Sequence, residues 1–191
     1  MGKIIKAMIF RIKNYSKHIQ RKTRKFLFTY VFFKPYYYKI DNAQLFVNWL
    51  FQRVFRRNSD VPYSVSFTSR IQGAARIILP KNAESIKISF AVSGGCYFTV
   101  FFGTTLEIGE GSVWATNVCI QTGNHDFIDR NKYRTGSVKI GKNCWLGTSV
   151  TILPGVELGD NVTVGANSVV TKSFSSNCVI AGVPAKVIKH L

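Results

Sequence analysis

The sequence predicts a mainly β fold: a parallel β-helix of hexapeptide repeats with an α-helical, basic N-terminal extension. Three observations carry this. From residue 140 an aliphatic residue returns at every sixth position. The single histidine of the periodic part, His125, stands where the period breaks. The charge is lopsided: residues 1–57 hold 14 basic residues and one acid, Asp41, so +13 of the net +17 lies there. A chain of 191 residues with 46% apolar content is long enough for one domain with a sizeable core and an appendage.

At the front, residues 1–39 contain 11 basic residues and no acid. Ile4, Ile5, Met8, Ile9 and Ile12 follow approximate helical spacing, so an amphipathic helix is expected. A second is expected over 41–57, "DNAQLFVNWLFQRVFRR", which opens on capping-type residues and sets Leu45, Phe46, Trp49, Leu50 and Val54 on one broad apolar face. Cationic helices with aromatics bind anionic membrane surfaces at about 1 kcal/mol per well-placed Lys or Arg. The same charge could guide an acidic glycan toward a site, or belong to a helical cap packed on the β-helix with its basic face in water. Nucleic acid is not expected, because no recognised binding motif accompanies the charge. "MGKIIKAMIFRIK" lacks a long apolar stretch and a cleavage site, and Lys6 stands where a myristoylation signal needs Ser or Thr. The longest apolar run, "FLFTYVFF" at 26–33, is far shorter than the ~20 residues of a spanning helix. A cytoplasmic protein is expected, with peripheral contact on the inner face of the cytoplasmic membrane as an option.

The hexads come next. "IQGAARIILPKN" at 71–82 reads as a degenerate first coil, followed by weaker blocks, FAVSGG, CYFTVF, FGTTLE, IGEGSV, WATNVC and IQTGNH, running from 90 to 125. From 140 the blocks are firm: IGKNCW, LGTSVT, ILPGVE, LGDNVT, VGANSV, VTKSFS. Gly follows the aliphatic opener in four of the six, and a small or apolar residue holds the fifth place. Such a block makes one short strand and one turn, the opener pointing inward and the Gly easing the turn. Three blocks close a triangular coil, and coils stack as parallel strands ~4.8 Å apart, burying aliphatic ladders along the axis.

Between the two stretches the frame slips. Residues 126–133, "DFIDRNKY", form an excursion from one corner, with His125 at its start. A loop on a rigid scaffold is a usual place for chemistry; a chance insertion with a solvated His is the alternative. His18 and His190 read as solvated side chains. Cys96, Cys119, Cys144 and Cys178 show no metal-ligand or dithiol spacing, so reduced thiols and no metal are expected.

The hexads, the phrase "GKNCWLGTSVTILPGVELGDNVTVGANSVVTKS" and the ending "CVIAGVPAKVIK" resemble the left-handed β-helix acyltransferases of the hexapeptide-repeat family, in the branch that O-acetylates sugars and cell-surface polysaccharides. The resemblance covers residues 61–189; residues 1–60 carry no motif of it. It implies acetyl-CoA as acyl donor, His125 as general base, and Asn124 and Asp126 as flanking residues that orient it or hold the acceptor. It also implies a CoA groove lined by Trp145, Gly147, Ser149, Ala166, Thr171, Lys172 and Lys186, with the turn from Gly147 to Ser149 supplying oxyanion donors. Family members are commonly homotrimers with sites between adjacent helices. The family usually continues "TKD" with a proline soon after, where this chain has "TKSFSSNC".

Imidazole, with a reference pKa of ~6.5, suits removal of a hydroxyl proton at neutral pH. The expected function is therefore acetyl transfer from acetyl-CoA to a hydroxyl of a sugar or polysaccharide, acidic or lipid-linked, without a covalent intermediate. N-acetylation of an amino sugar needs the same parts. A non-catalytic glycan- or membrane-binding β-helix is the other class. A β-helix carbonic anhydrase would need three zinc-binding histidines, and the repeat has one.

Overall fold

The computed structural model describes residue 37 and residues 39–191; the helix expected around Ile4 to Ile12 lies outside them. The chain forms two compact units, Met1–Asp41 and Asn42–Leu191, and the second holds all the periodic sequence.

That unit begins with helix α1 (Asn42–Arg53) and then winds into coils. The first coil consists of β1 (Arg70–Gln72), β2 (Ile77–Ile78) and, in place of a third strand, helix α2 (Glu84–Val92). The second is β3 (Tyr97–Thr99), β4 (Leu106–Ile108) and β5 (Val113–Trp114). The third starts with β6 (Cys119–Gln121), throws out a hairpin of β7 (Gly123–His125) and β8 (Tyr133–Thr135), and resumes with β9 (Val138–Ile140) and β10 (Trp145–Leu146). The fourth is β11 (Thr151–Ile152), β12 (Glu157–Leu158) and β13 (Val162–Val164). The fifth is β14 (Val169–Val170), a single bridge from Phe174 to Leu158, and β15 (Cys178–Gly182), on which β16 (Ala185–His190) folds back antiparallel across a cis Val183–Pro184 bond.

Like strands of successive coils pair in parallel, giving three faces. Face one stacks β1, β3, β6, β11 and β14; face two β2, β4, β9 and β12; face three β5, β10, β13 and β15. Registers align inward residues into ladders: Ile71, Phe98, Ile120, Ile152 and Val170 on face one, and Trp114, Leu146, Val164 and Ile180 on face three, all buried; Phe98, and not the expected opener Cys96, is in step with Ile120, and Ile180 extends its ladder past the last block. A fully buried aliphatic side chain is worth roughly 1.5–3 kcal/mol, so the ladders supply the cohesion of the prism. The fifth-place residues Cys144, Val150, Val156, Val162 and Ser168 are buried beside them.

The turn residue differs from the expected one. The left-handed conformation falls on the fourth place of the first five firm blocks: Asn143, Ser149, Gly155, Asn161 and Asn167 have φ between 53° and 80°. The second-place glycines serve another need, closeness of coils. A Cβ on Gly141 would come 2.4 Å from the Gly159 carbonyl oxygen, one on Gly147 2.7 Å from the Ala166 nitrogen, and one on Gly159 2.5 Å from the Ser176 nitrogen. Asparagine tolerates the left-handed region well enough to take the turns.

Two weak blocks also depart from the frame. Phe90 is buried on helix α2, where its ring meets Tyr63, Phe98 and Trp114 at centroid distances of 4.8, 5.4 and 4.7 Å. Phe102, expected as an inward opener, is 88% exposed on a small excursion between β3 and β4.

Helix α1 is the largest correction. Of its expected apolar face, Leu45 and Leu50 are only half-buried and Phe46, Trp49 and Val54 are exposed; the side chains it buries are Asn48 and Gln52, at 0% and 6% exposure. The Asn48 amide donates to the Ala91 carbonyl (2.9 Å) and accepts from the Phe67 N–H (3.0 Å). The Gln52 amide donates to the Tyr63 carbonyl (3.0 Å) and accepts from the Val65 N–H (2.9 Å), while Gln44 donates to the Ala91 carbonyl (3.2 Å). The first coil has no coil above it to satisfy its backbone. Carboxamides at every fourth position of a helix do that work where leucines could not.

Candidate active site

Three excursions stack at the corner between faces one and two. In the first coil it is a turn at Ala74–Arg76, in the second residues 100–105, and in the third the β7–β8 hairpin. The last begins at Thr122, which is fully buried. Its hydroxyl accepts from the Phe101 N–H (2.8 Å) and pairs with the Thr104 hydroxyl (2.6 Å), and its carbonyl accepts from the Gly136 N–H (2.9 Å). Both strands of the hairpin therefore leave from a fixed point. Gly123 follows because the Phe101 ring lies where a Cβ would be, 2.7 Å away.

The excursion is thus wider than residues 126–133. His125 sits on β7 opposite Tyr133, and Asn124 opposite Arg134. The His125 ring is exposed, and its Nδ1 lies 2.7 Å from the Arg130 carbonyl oxygen. A carbonyl can only accept, so this contact fixes Nδ1 as the protonated nitrogen and leaves the Nε2 lone pair available. The imidazole leans on Tyr133 (4.7 Å between centroids), which leans on Phe101 (5.3 Å).

Asp126 organises the turn. One carboxylate oxygen accepts from the Ile128 and Asp129 N–H groups (2.8 and 3.1 Å), and the other from Arg134 Nε (2.5 Å). The hydrogen bond from Arg134, followed by those from the two amides, pulls its carboxyl down to about 2. Arg130 donates to the Asp126 carbonyl (2.8 Å), and its own carbonyl is the one that holds His125. The sequence placed Asp126 beside the histidine; the structure shows its carboxylate bound to the loop itself. Asn124 is half-buried on the strand.

The residues expected to line a CoA groove are brought together only in part. Trp145 lies on face three, between Val113 and Thr163, and is 43% exposed. Gly147, Ser149 and Ala166 lie at the corner between faces three and one, Gly147 directly against Ala166 of the next coil. The Gly147 N–H donates to Val164 and the Ser149 N–H to Thr116 (2.9 and 3.0 Å), so these two amides hold coils together and are not free to bind an oxyanion. Thr171 and Lys172 follow β14 at the corner that carries the hairpin two coils earlier, with the Lys172 ammonium 5.7 Å from the Phe174 ring. Lys186 is exposed on β16. The unusual "SFSS" keeps the coil regular: the Glu157 N–H donates to Ser173 Oγ and the Asp160 N–H to Ser176 Oγ, both 2.9 Å. Sequence reasoning missed Phe101, Thr122 and Arg134; the spacing of the weak blocks gave no sign of the excursion that holds Phe101. Among the described residues no group of three or more His, Cys, Asp or Glu could hold a metal ion.

A triangular prism of hexads with one histidine-bearing hairpin at a corner is a left-handed parallel β-helix of hexapeptide repeats. In comparison with known proteins, residues 137–172 match the family of bacterial transferase hexapeptides (six repeats). The galactoside O-acetyltransferase of Escherichia coli K12 is 38% identical over 97 residues, 49% of this chain and 48% of its own length. Another protein of that strain, provisionally named a lipopolysaccharide biosynthesis O-acetyl transferase, is 41% identical over 98 residues, 44% of this chain and 50% of its own. The chain spans about half the length of these curated relatives. A hexapeptide-repeat acetyltransferase from Vibrio cholerae O1 biovar eltor, solved with acetyl coenzyme A, shares 16% identity and a TM-score of 0.50 across 90% of this chain and 85% of its own, a likeness of fold.

Proposed function

We propose that the protein moves an acetyl group from acetyl-CoA to a hydroxyl of a sugar, or of a cell-surface polysaccharide or its precursor. The observation that carries this reading is the His125 tautomer, set by the Arg130 carbonyl on a hairpin anchored at Thr122. As the hydroxyl oxygen attacks the thioester carbonyl carbon, its proton passes to Nε2. As the tetrahedral intermediate collapses and the C–S bond breaks, Nε2 returns that proton to the departing CoA sulfur. One imidazole serves both half-steps with no covalent enzyme intermediate. The likeness to a galactoside O-acetyltransferase over the repeats supports a sugar acceptor.

The CoA groove requires more than one copy in this reading. His125 projects from the corner between faces one and two, whereas Trp145, Gly147, Ser149 and Ala166 occupy face three and the corner beyond it. A homotrimer sets the first corner of one prism against the third face of the next, so that a neighbour completes the site. Thiol release from acetyl-CoA, followed over a panel of free, nucleotide-linked and polymeric sugars, tests the proposal. The expected outcome for His125→Ala is a fall of about 10²–10⁴-fold in kcat with an unchanged melting temperature. Full turnover by that variant, or acetyl appearing only on amino groups of the panel, refutes hydroxyl transfer by His125.

A further inference from the structure

Because α1 turns its carboxamides inward, its aromatic side stands in water. Phe46 and Trp49 stack at 6.0 Å and are 60% and 45% exposed; Val54 and Phe55, just past the helix end, are 56% and 64% exposed. Phe51 braces Phe55 and Phe67, each at 5.2 Å, so the patch is a fixed surface. The hydrogen bonds of α1 to the rest of the unit, through Gln44, Asn48 and Gln52, use none of the exposed side chains Phe46, Trp49, Val54 and Phe55. A group of large apolar residues kept rigid and outward is the signature of a docking surface.

The charge around it says what docks. Arg53 and Arg56 are exposed and take part in none of the ion pairs among the described residues. The sequence leading into the helix carries 11 basic residues before its first acid, Asp41, and the next acid is Asp60. A second copy of the chain would bring like charge against like charge, which opposes self-association through this face. Aromatic rings set among arginines match the interface of an anionic bilayer, where rings settle at the headgroup boundary and guanidinium groups meet lipid phosphates.

We propose that the outward face of α1 is a docking surface for an anionic lipid bilayer, with Phe46, Trp49 and Phe55 inserted at the interface and Arg53 and Arg56 on the phosphates. The inference stands apart from acetyl transfer, since none of these residues belongs to the hairpin corner or the expected groove. The test is sedimentation of the full chain with vesicles of phosphatidylglycerol and phosphatidylcholine, and with vesicles of phosphatidylcholine alone. Binding is expected only to the former, weakened about tenfold or more in Phe46→Ser/Trp49→Ser and in Arg53→Gln/Arg56→Gln, with thermal unfolding and activity on soluble acceptors unchanged. Trp49→Phe, which keeps the apolar surface, should bind like the parent yet lose the quenching that brominated lipid exerts on Trp49. The proposal is overturned by any of three results: equal binding of Phe46→Ser/Trp49→Ser and parent, which assigns the contact to residues 1–36; quenching unaltered in Trp49→Phe; or a vesicle-free parent that dissociates to smaller species on Phe46→Ser/Trp49→Ser, which assigns the face to a second copy.

Discussion

At the residue scale, the site turns on two neighbours with separate tasks. His125 faces outward with one nitrogen tied to Arg130, and Asp126 faces back into the turn that places Arg130. Removing the Asp126 charge should therefore loosen the histidine without touching it. Its carboxyl is held at about 2, below the ordinary carboxylate range, chiefly by the hydrogen bond from Arg134. A depressed pKa means that the ordering it provides is complete above the unfolded value and is lost as pH falls toward the folded one. The Ile128 and Asp129 amide resonances should accordingly titrate with a midpoint near 2 and not near 4, and Asp126→Asn should abolish that titration. A midpoint near 4 would show that the carboxylate does not hold the turn. Asp126→Asn should also lower kcat while leaving the pattern of accepted sugars alone, which separates a positioning residue from one that touches the acceptor.

At the element scale, α1 shows that hydrophobic patterning does not always choose the buried face. Asn48 joins the Phe67 N–H and the Ala91 carbonyl, groups that a further coil would otherwise satisfy. Asn48→Leu, alike in branching and more apolar, is expected to destabilise by about 1–3 kcal/mol, because buried backbone groups are left unpaired. Chemical denaturation measures this directly; a stabilised variant would mean that the amides contribute nothing to the cap. The hairpin makes the complementary point. Two three-residue strands would not persist alone, and theirs are rooted at Thr122 and Gly136 in the third coil.

For the whole molecule, the separation of the hairpin corner from face three makes a quantitative expectation for an assembled enzyme. His125→Ala and a groove-blocking Ala166→Trp should each be inactive alone. Mixed after dissociation and reassembly, they should regain about a quarter of wild-type sites, since one interface can combine the intact half of each. Failure to complement, with reassembly confirmed by mass, would place the whole site within a single chain.

What the sequence determined by itself is whatever depends only on adjacent coils. An opener at every sixth place buries itself against the opener three blocks away, so the ladders from Ile140 to Val170 and the break at His125 could be read directly. In a nearest-neighbour stack the same local rule holds at each step. Tertiary structure decided the exceptions, where a neighbour is missing or displaced. At the N-terminal end, unpaired backbone turned Asn48 and Gln52 inward and Phe46 and Trp49 outward, against their hydropathy. In the second coil the excursion at 100–105 carried Phe102 into solvent and set Phe101 on the hairpin. The distance between coils, invisible in a one-dimensional period, settled why Gly141, Gly147 and Gly159 must be glycine and left the left-handed turns to asparagine and serine.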